Sequence, residues 1–144
     1  DVIGRFASMG IDAYNFLAAL NCVLAQRLVR ILCPTCRTPM KAQQALIEES
    51  GLDYSQYKDT LFYEGTGCPQ CHGTGYRGRK CITEFLDLTD EIKEMIHAER
   101  PLSEIRYRAV IDGMITLRQS ALKKVLNGET SLREINRVTF SEEG

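Results

Sequence analysis

Cys33-Pro34-Thr35-Cys36 and, after 31 intervening residues, Cys68-Pro69-Gln70-Cys71 are the stretch on which the reading of this chain turns. Each pair holds two thiols across a tight turn that Pro34 or Pro69 helps to set, and four sulfurs in two such pincers suit tetrahedral Zn²⁺. Four protein sulfurs fill the coordination shell and leave no position for water or substrate. The metal expected at Cys33, Cys36, Cys68 and Cys71 is therefore structural and not hydrolytic. Zinc binding contributes on the order of 10 kcal/mol in small modules, comparable with the net stability of a typical domain, so the ion is expected to decide whether this lobe folds.

Two disulfides are the main rival. An oxidised chain would leave Cys22 and Cys81 to find partners, and no signal-peptide-like start points to export. A thioredoxin-like role for one pair lacks the βαβ surroundings it needs. Cys22, among Leu20, Val23 and Leu24, reads as core filling, and Cys81 as a buried strand residue and not a fifth ligand. His72 reads as exposed, and His97 as a helix-terminal residue placed well against the helix dipole. Arg30, Arg37, Arg77, Arg79 and Lys80 lie close in sequence to the cysteines and are expected to offset the charge of −2 that zinc with four thiolates carries.

The 144 residues carry a net charge of −1 and are 44% hydrophobic, enough for one modest domain or two small lobes. A generic nucleic-acid binder shows a positive excess that is missing here. No apolar run approaches the roughly 20 residues of a transmembrane helix, and the chain reads as soluble and intracellular.

Outward from the cysteines, Asp12 is expected to cap a helix in which Phe16, Leu17, Leu20, Leu24, Leu28 and Ile31 recur at three- and four-residue steps. About 20 residues would make a rod of about 30 Å that delivers Cys33 from its end, with Arg27 and Arg30 on its surface. The abrupt start at Asp1, with apolar spacing already under way at Val2, Ile3 and Phe6, suggests a piece of something longer. Lys41 to Ser50 reads as a short helix stopped by Gly51. Tyr54, Tyr57, Phe62 and Tyr63 form an aromatic cluster expected to pack over the metal lobe; Asp53, Asp59 and Glu64 among them argue against nucleic-acid stacking. Gly65 to Gly75 is loop chemistry that lets backbone wrap a metal. Residues 80–87 alternate as a strand does. Thr89, Ser103, Thr116 and Ser131 each mark a helix start, with Gly113 and Gly128 as stops. These helices are too short to stand alone and must pack on one another or on a further domain.

Taken together, Arg5-Phe6 with Met9-Gly10-Ile11, Val23-Leu-Ala-Gln-Arg-Leu-Val-Arg30, the two cysteine pairs, Thr74-Gly-Tyr-Arg-Gly-Arg79 and Ile82-Thr-Glu-Phe-Leu86 resemble the C-terminal part of the secretion ATPases of type II secretion and type IV pilus assembly. Gly113-Met114, Thr116-Leu117, Lys124-Val-Leu-Asn-Gly128, Thr130-Ser-Leu-Arg-Glu-Ile135 and Arg137-Val-Thr139 extend the resemblance over nearly the whole chain. It implies a cytoplasmic, usually hexameric RecA-like motor docked on an inner-membrane platform, with a tetracysteine zinc subdomain on which Cys33, Cys36, Cys68 and Cys71 fall. Ser120-Ala121 departs from the family's usual acidic residue and glycine, and Cys81 stands where glycine is common. No Gly-x-x-x-x-Gly-Lys-[Ser/Thr] occurs in the sequence, so ATP and Mg²⁺ are expected only in a longer parent protein and no catalytic residue is expected here.

The expected fold is mainly α with a small β element. Residues 1–32 are a helical segment from the end of the ATPase core, 33–80 the tetracysteine subdomain, and 81–144 a strand and C-terminal helical bundle. Two rivals stand beside this reading. Cys68-Pro-Gln-Cys-His-Gly-Thr-Gly75 fits the zinc-centre repeat of J-domain chaperones, but Cys33-Pro-Thr-Cys-Arg-Thr-Pro-Met40 lacks both glycines. A nucleic-acid-binding zinc ribbon usually spaces its pairs by about 15–20 residues, fewer than here.

Overall fold

The computed structural model describes residues 2–140. The described residues form helices and two two-stranded sheets, and the chain divides into two compact units, each built from two separate segments. Residues through Ala25 join Glu84–Thr116 in one unit; Gln26–Thr83 joins the chain from Leu117 onward in the other. Two long strands, β1 (Cys22–Leu32) and β4 (Tyr76–Asp87), pair with each other, and the chain passes from one unit to the other within each of them. Among the described residues no helix is long and apolar enough to cross a membrane.

In the first unit, α1 (Val2–Ser8) and α2 (Ala13–Ala19) meet through Phe6 and Phe16, whose ring centroids are 4.4 Å apart. Asp12 caps α2, its carboxylate accepting from the Tyr14 N–H at 3.2 Å. Helix α5 (Asp90–His97) begins under Thr89, whose hydroxyl accepts from the Ile92 N–H at 3.3 Å, and α6 (Leu102–Ile111) follows Pro101. Leu88, Ile92, Ile105 and Ala109 form the core, backed by Leu20, Val23 and Met95.

The second unit carries the cysteines. Strand β2 (Arg37–Lys41) runs antiparallel to β3 (Leu61–Gly65), Arg37 opposite Gly65 and Lys41 opposite Leu61. Between them lie the short helices α3 (Gln44–Glu49) and α4 (Tyr54–Tyr57). After β4 and the first unit's helices, α7 (Leu117–Leu126) and α8 (Leu132–Thr139) complete the body. Val29, Ile47, Phe62, Ile82, Val125 and Ile135 are at most 2% exposed and form one apolar cluster.

The long helix from Asp12 to Ile31 is not formed: α2 ends at Ala19 and β1 takes over from Cys22. Leu24 and Leu28, the supposed core positions, are more than half exposed, whereas Val29 is buried. The physical reason is pairing along β4, which suits the β-branched Val23, Val29 and Ile31 and outweighs a three- to four-residue spacing. Cys22 and Cys81 are both exposed and not core residues. Lys41 belongs to β2, so the helix expected from it begins only at Gln44. The β4 strand starts at Tyr76, four residues before the expected one. Phe62 and Tyr57 pack into the apolar cluster with α7 and α8 residues, not over the cysteines.

Candidate metal centre

Strand β1 ends at Leu32 and hands the chain to a tight turn. The Cys36 and Arg37 N–H groups both donate to the Cys33 carbonyl, at 3.3 and 2.9 Å, which places the first two sulfurs on one side. The second pair sits on a single 3₁₀ turn, Pro69–Cys71, in which the Cys71 N–H donates to the Cys68 carbonyl at 3.2 Å. The two loops are tied by the Cys33 N–H donating to the Gly75 carbonyl at 2.9 Å. Gly65 and Gly75 pass so closely that a Cβ on Gly65 would lie 2.2 Å from the Gly75 carbonyl oxygen, and Gly75 has φ +79°. Only glycine allows that crossing.

The fold brings all four expected ligands together. Cys33, Cys36 and Cys71 are buried and Cys68 half-buried, with their Sγ atoms within 4.8 Å of one another. Cys33 and Cys68 sulfurs are 3.8 Å apart, Cys36 and Cys71 3.8 Å, Cys68 and Cys71 3.7 Å. A disulfide needs about 2.05 Å, so these are four thiols arranged as a set that could hold a metal ion.

The thiols do not ionise alike. Burial raises the Cys71 thiol, but hydrogen bonds from the Cys68 and Gly75 N–H groups, each 3.2 Å from Sγ, outweigh it and bring it down to about 6. Cys33 is likewise disfavoured by burial yet held below the ordinary value by the backbone of Thr35 and Cys36. At Cys36 burial dominates and pushes the thiol up to about 11. A cation held by the four sulfurs would supply what Cys36 lacks, because it would stabilise the thiolate directly.

The basic residues expected to offset the site's charge are largely engaged elsewhere. Arg37 donates to the Gly128 carbonyl at 2.9 Å and stacks on Tyr63, and Lys80 pairs with Glu129 at 3.2 Å. Arg30 runs to Glu134. Backbone N–H groups take over that work at Cys71. His72 is exposed, as expected, and His97 ends α5 with its ring 5.6 Å from that of Tyr14.

One polar cluster escaped the sequence reading. The Glu134 side chain is 0% exposed. Its oxygens accept from the Arg30 N–H at 3.0 Å, from Arg30 Nε and Nη2 at 3.0 and 2.7 Å, and from Arg137 Nε and Nη2 at 3.1 and 2.7 Å. Arg30 also lies 4.3 Å over the Tyr76 ring, whose hydroxyl is 2.6 Å from Ser131 Oγ. This brace ties Arg30, near the end of β1 and three residues from Cys33, to the first turn of α8. The available signal was an arginine-rich end of β1 facing the Ser131-x-x-Glu134 motif, which sequence alone offers only as a cap.

Four cysteines closing on one point within a body of short helices and strands form a cluster that could hold a metal ion. The family is then set by comparison: the profile of the Type II/IV secretion system protein family matches residues 1–137, and the chain belongs to that family. It is 41% identical to the type IV pilus assembly ATPase PilB of Thermus thermophilus over 92% of this chain and 15% of that protein. It is also 41% identical to the type II secretion system ATPase E of Vibrio cholerae over 95% of this chain and 27% of that protein. A third relative, the PilB of Myxococcus xanthus, is 38% identical over 92% of the chain and 24% of its own length. The chain thus spans between about a seventh and about a quarter of the length of these relatives.

Proposed function

We propose that Cys33, Cys36, Cys68 and Cys71 hold one structural zinc ion, and that the lobe they fix is part of an ATPase that drives type II secretion or type IV pilus assembly. The observation that carries the metal assignment is the sulfur spacing. A tetrahedron with Zn–S bonds of about 2.3 Å has edges of about 3.8 Å; the Cys33–Cys68, Cys36–Cys71 and Cys68–Cys71 sulfurs are 3.8, 3.8 and 3.7 Å apart, and all four lie within 4.8 Å of one another. Zinc supplies cross-linking here and no Lewis-acid chemistry, since four thiolates complete its shell.

In this reading residues 33–80 form the zinc subdomain, 1–32 the end of a RecA-like core, and 81–144 the strand and helices that follow. The role is mechanical: the lobe and helices meet neighbouring subunits of a homo-hexamer and the inner-membrane platform, on the cytoplasmic side and without nucleic acid. ATP and Mg²⁺ act in the parent protein, because phosphoryl transfer needs a phosphate cradle and this sequence has no Gly-x-x-x-x-Gly-Lys-[Ser/Thr].

Elemental analysis of chain purified under reducing conditions should find one zinc ion per chain, and Co²⁺ exchange should give the intense absorption of a tetrahedral thiolate site. Absence of stoichiometric metal, or undiminished metal in a Cys68→Ser, Cys71→Ser double variant, rejects the assignment. The same material should show no ATP turnover above background.

A further inference from the structure

The first unit contains a cavity that neither the cysteine site nor the family reading uses. It has a volume of about 160 Å³ and lies where the end of β4 meets the start of α5 and the end of α6. Phe85, Leu86, Ile92, Ala109 and Met114 give it an apolar lining. Pockets for drug-sized ligands and cofactors run to about 300–1,000 Å³, whereas a cavity of about 150 Å³ accommodates a benzene-sized group. This one is the size of a single side chain.

Its polar groups are not equivalent. The Thr89 hydroxyl is occupied as the cap of α5. Asp112 is already gripped by Arg108, Nε to Oδ2 at 3.0 Å and Nη2 to Oδ1 at 3.0 Å. Asp87 is exposed and, among the described residues, makes no ion pair or side-chain hydrogen bond. The cleft therefore offers an apolar wall along its length and one uncompensated carboxylate at its edge.

We propose that this cleft receives a lysine or arginine side chain from a partner polypeptide, the aliphatic stem lying along Phe85 and Met114 and the cationic head meeting Asp87. Long basic side chains bury their stems on apolar surface while the head stays at the rim, which is the shape and charge pattern found here. A neutral side chain would fill the volume and leave Asp87 unpaired; an acidic one would be repelled by it. The inference does not depend on the metal assignment.

The test uses the whole chain, ¹⁵N-labelled and followed by NMR, with the tripeptide acetyl-Gly-Lys-Gly-amide as probe. Saturable shifts are expected at the amides of Phe85, Leu86, Asp87 and Gly113. The norleucine tripeptide, and the lysine tripeptide on Asp87→Asn, should each bind about fivefold more weakly, the scale of an exposed ion pair. Equal binding of lysine and norleucine peptides, unchanged binding to Asp87→Asn, or no saturable shift at these amides overturns the proposal. Concentration-dependent shifts at the same amides without peptide would also overturn it, by assigning the cleft to a second copy of this chain.

Discussion

Glu134 shows how much a single residue can hold in this chain. Burial alone would raise its carboxyl, but hydrogen bonds from Arg137, from the Arg30 side chain and from the Arg30 N–H bring it down to about 2 from an ordinary 4.5. A carboxyl that titrates lower in the folded state stabilises fully above the unfolded value, and that stabilisation drains away as pH falls from 4.5 toward 2. The free energy of unfolding should therefore fall over this window by an amount of order 3 kcal/mol that Glu134→Gln does not lose. Subtracting the variant's profile removes the contribution of acid release of metal, common to both proteins. Equal pH profiles for the two would refute the brace. Glu134→Ala should cost about 2–3 kcal/mol at neutral pH, since it removes the buried acceptor of the Arg30 N–H and of two guanidinium groups that themselves stay in contact with water. The sequence shows Ser131-x-x-Glu134 as a cap, and Ser131 does cap α8, its Oγ accepting from the Glu134 N–H at 3.2 Å. The carboxylate turns instead to Arg30, 104 positions away, and no local pattern encodes so distant a partner.

At the scale of elements, the cysteine spacing and glycine content were legible because their chemistry is local: a Cys-x-x-Cys turn holds its sulfurs near one another wherever it sits. Strand β1 was not legible, since its apolar residues satisfy a helical period as well as an alternating one and only β4, far along the chain, decides between them. Strand β2 was hidden by Pro39, which is tolerated because a two-stranded ribbon leaves it an open edge. The crossing of β3 with the loop after Cys71 yields a paired prediction. Gly65→Ala places a methyl against Gly75 backbone, whose N–H and carbonyl serve Cys71 and Cys33, so chelator competition should show metal affinity down by about tenfold or more. Gly73→Ala meets a positive φ of 77°, which Gly65 does not have, but its methyl points into open space, so only the conformational cost of about 1–2 kcal/mol should appear, in stability and not in affinity. If both variants bind metal alike, the close crossing does not shape the site.

For the molecule as a whole, the spaced motifs from Arg5 to Thr139 were enough to reach the family, because they record many positions in one order. The division into two discontinuous units was not, because it depends on which distant segments share a core. The four clustered cysteines, Cys33, Cys36, Cys68 and Cys71, lie in the unit formed by Gln26–Thr83 and the chain from Leu117, and none lies in the Glu84–Thr116 core of Leu88, Ile92, Ile105 and Ala109. Cooperative units open with their own free energies, so a cross-link inside one unit raises protection mainly there. Stripping metal with a chelator under reducing conditions should therefore speed amide exchange by about tenfold or more across β2, β3 and α8, where the thiolate cross-link is lost. Amides of α5 and α6, held by their own apolar core and by the Arg108 pairs to Asp112 and Glu91, should keep their protection. Mass spectrometry of deuterium uptake on metal-loaded and metal-free chain separates these peptides directly. Equal loss of protection in α5 and α6 would mean that the metal stabilises the whole chain as one cooperative body.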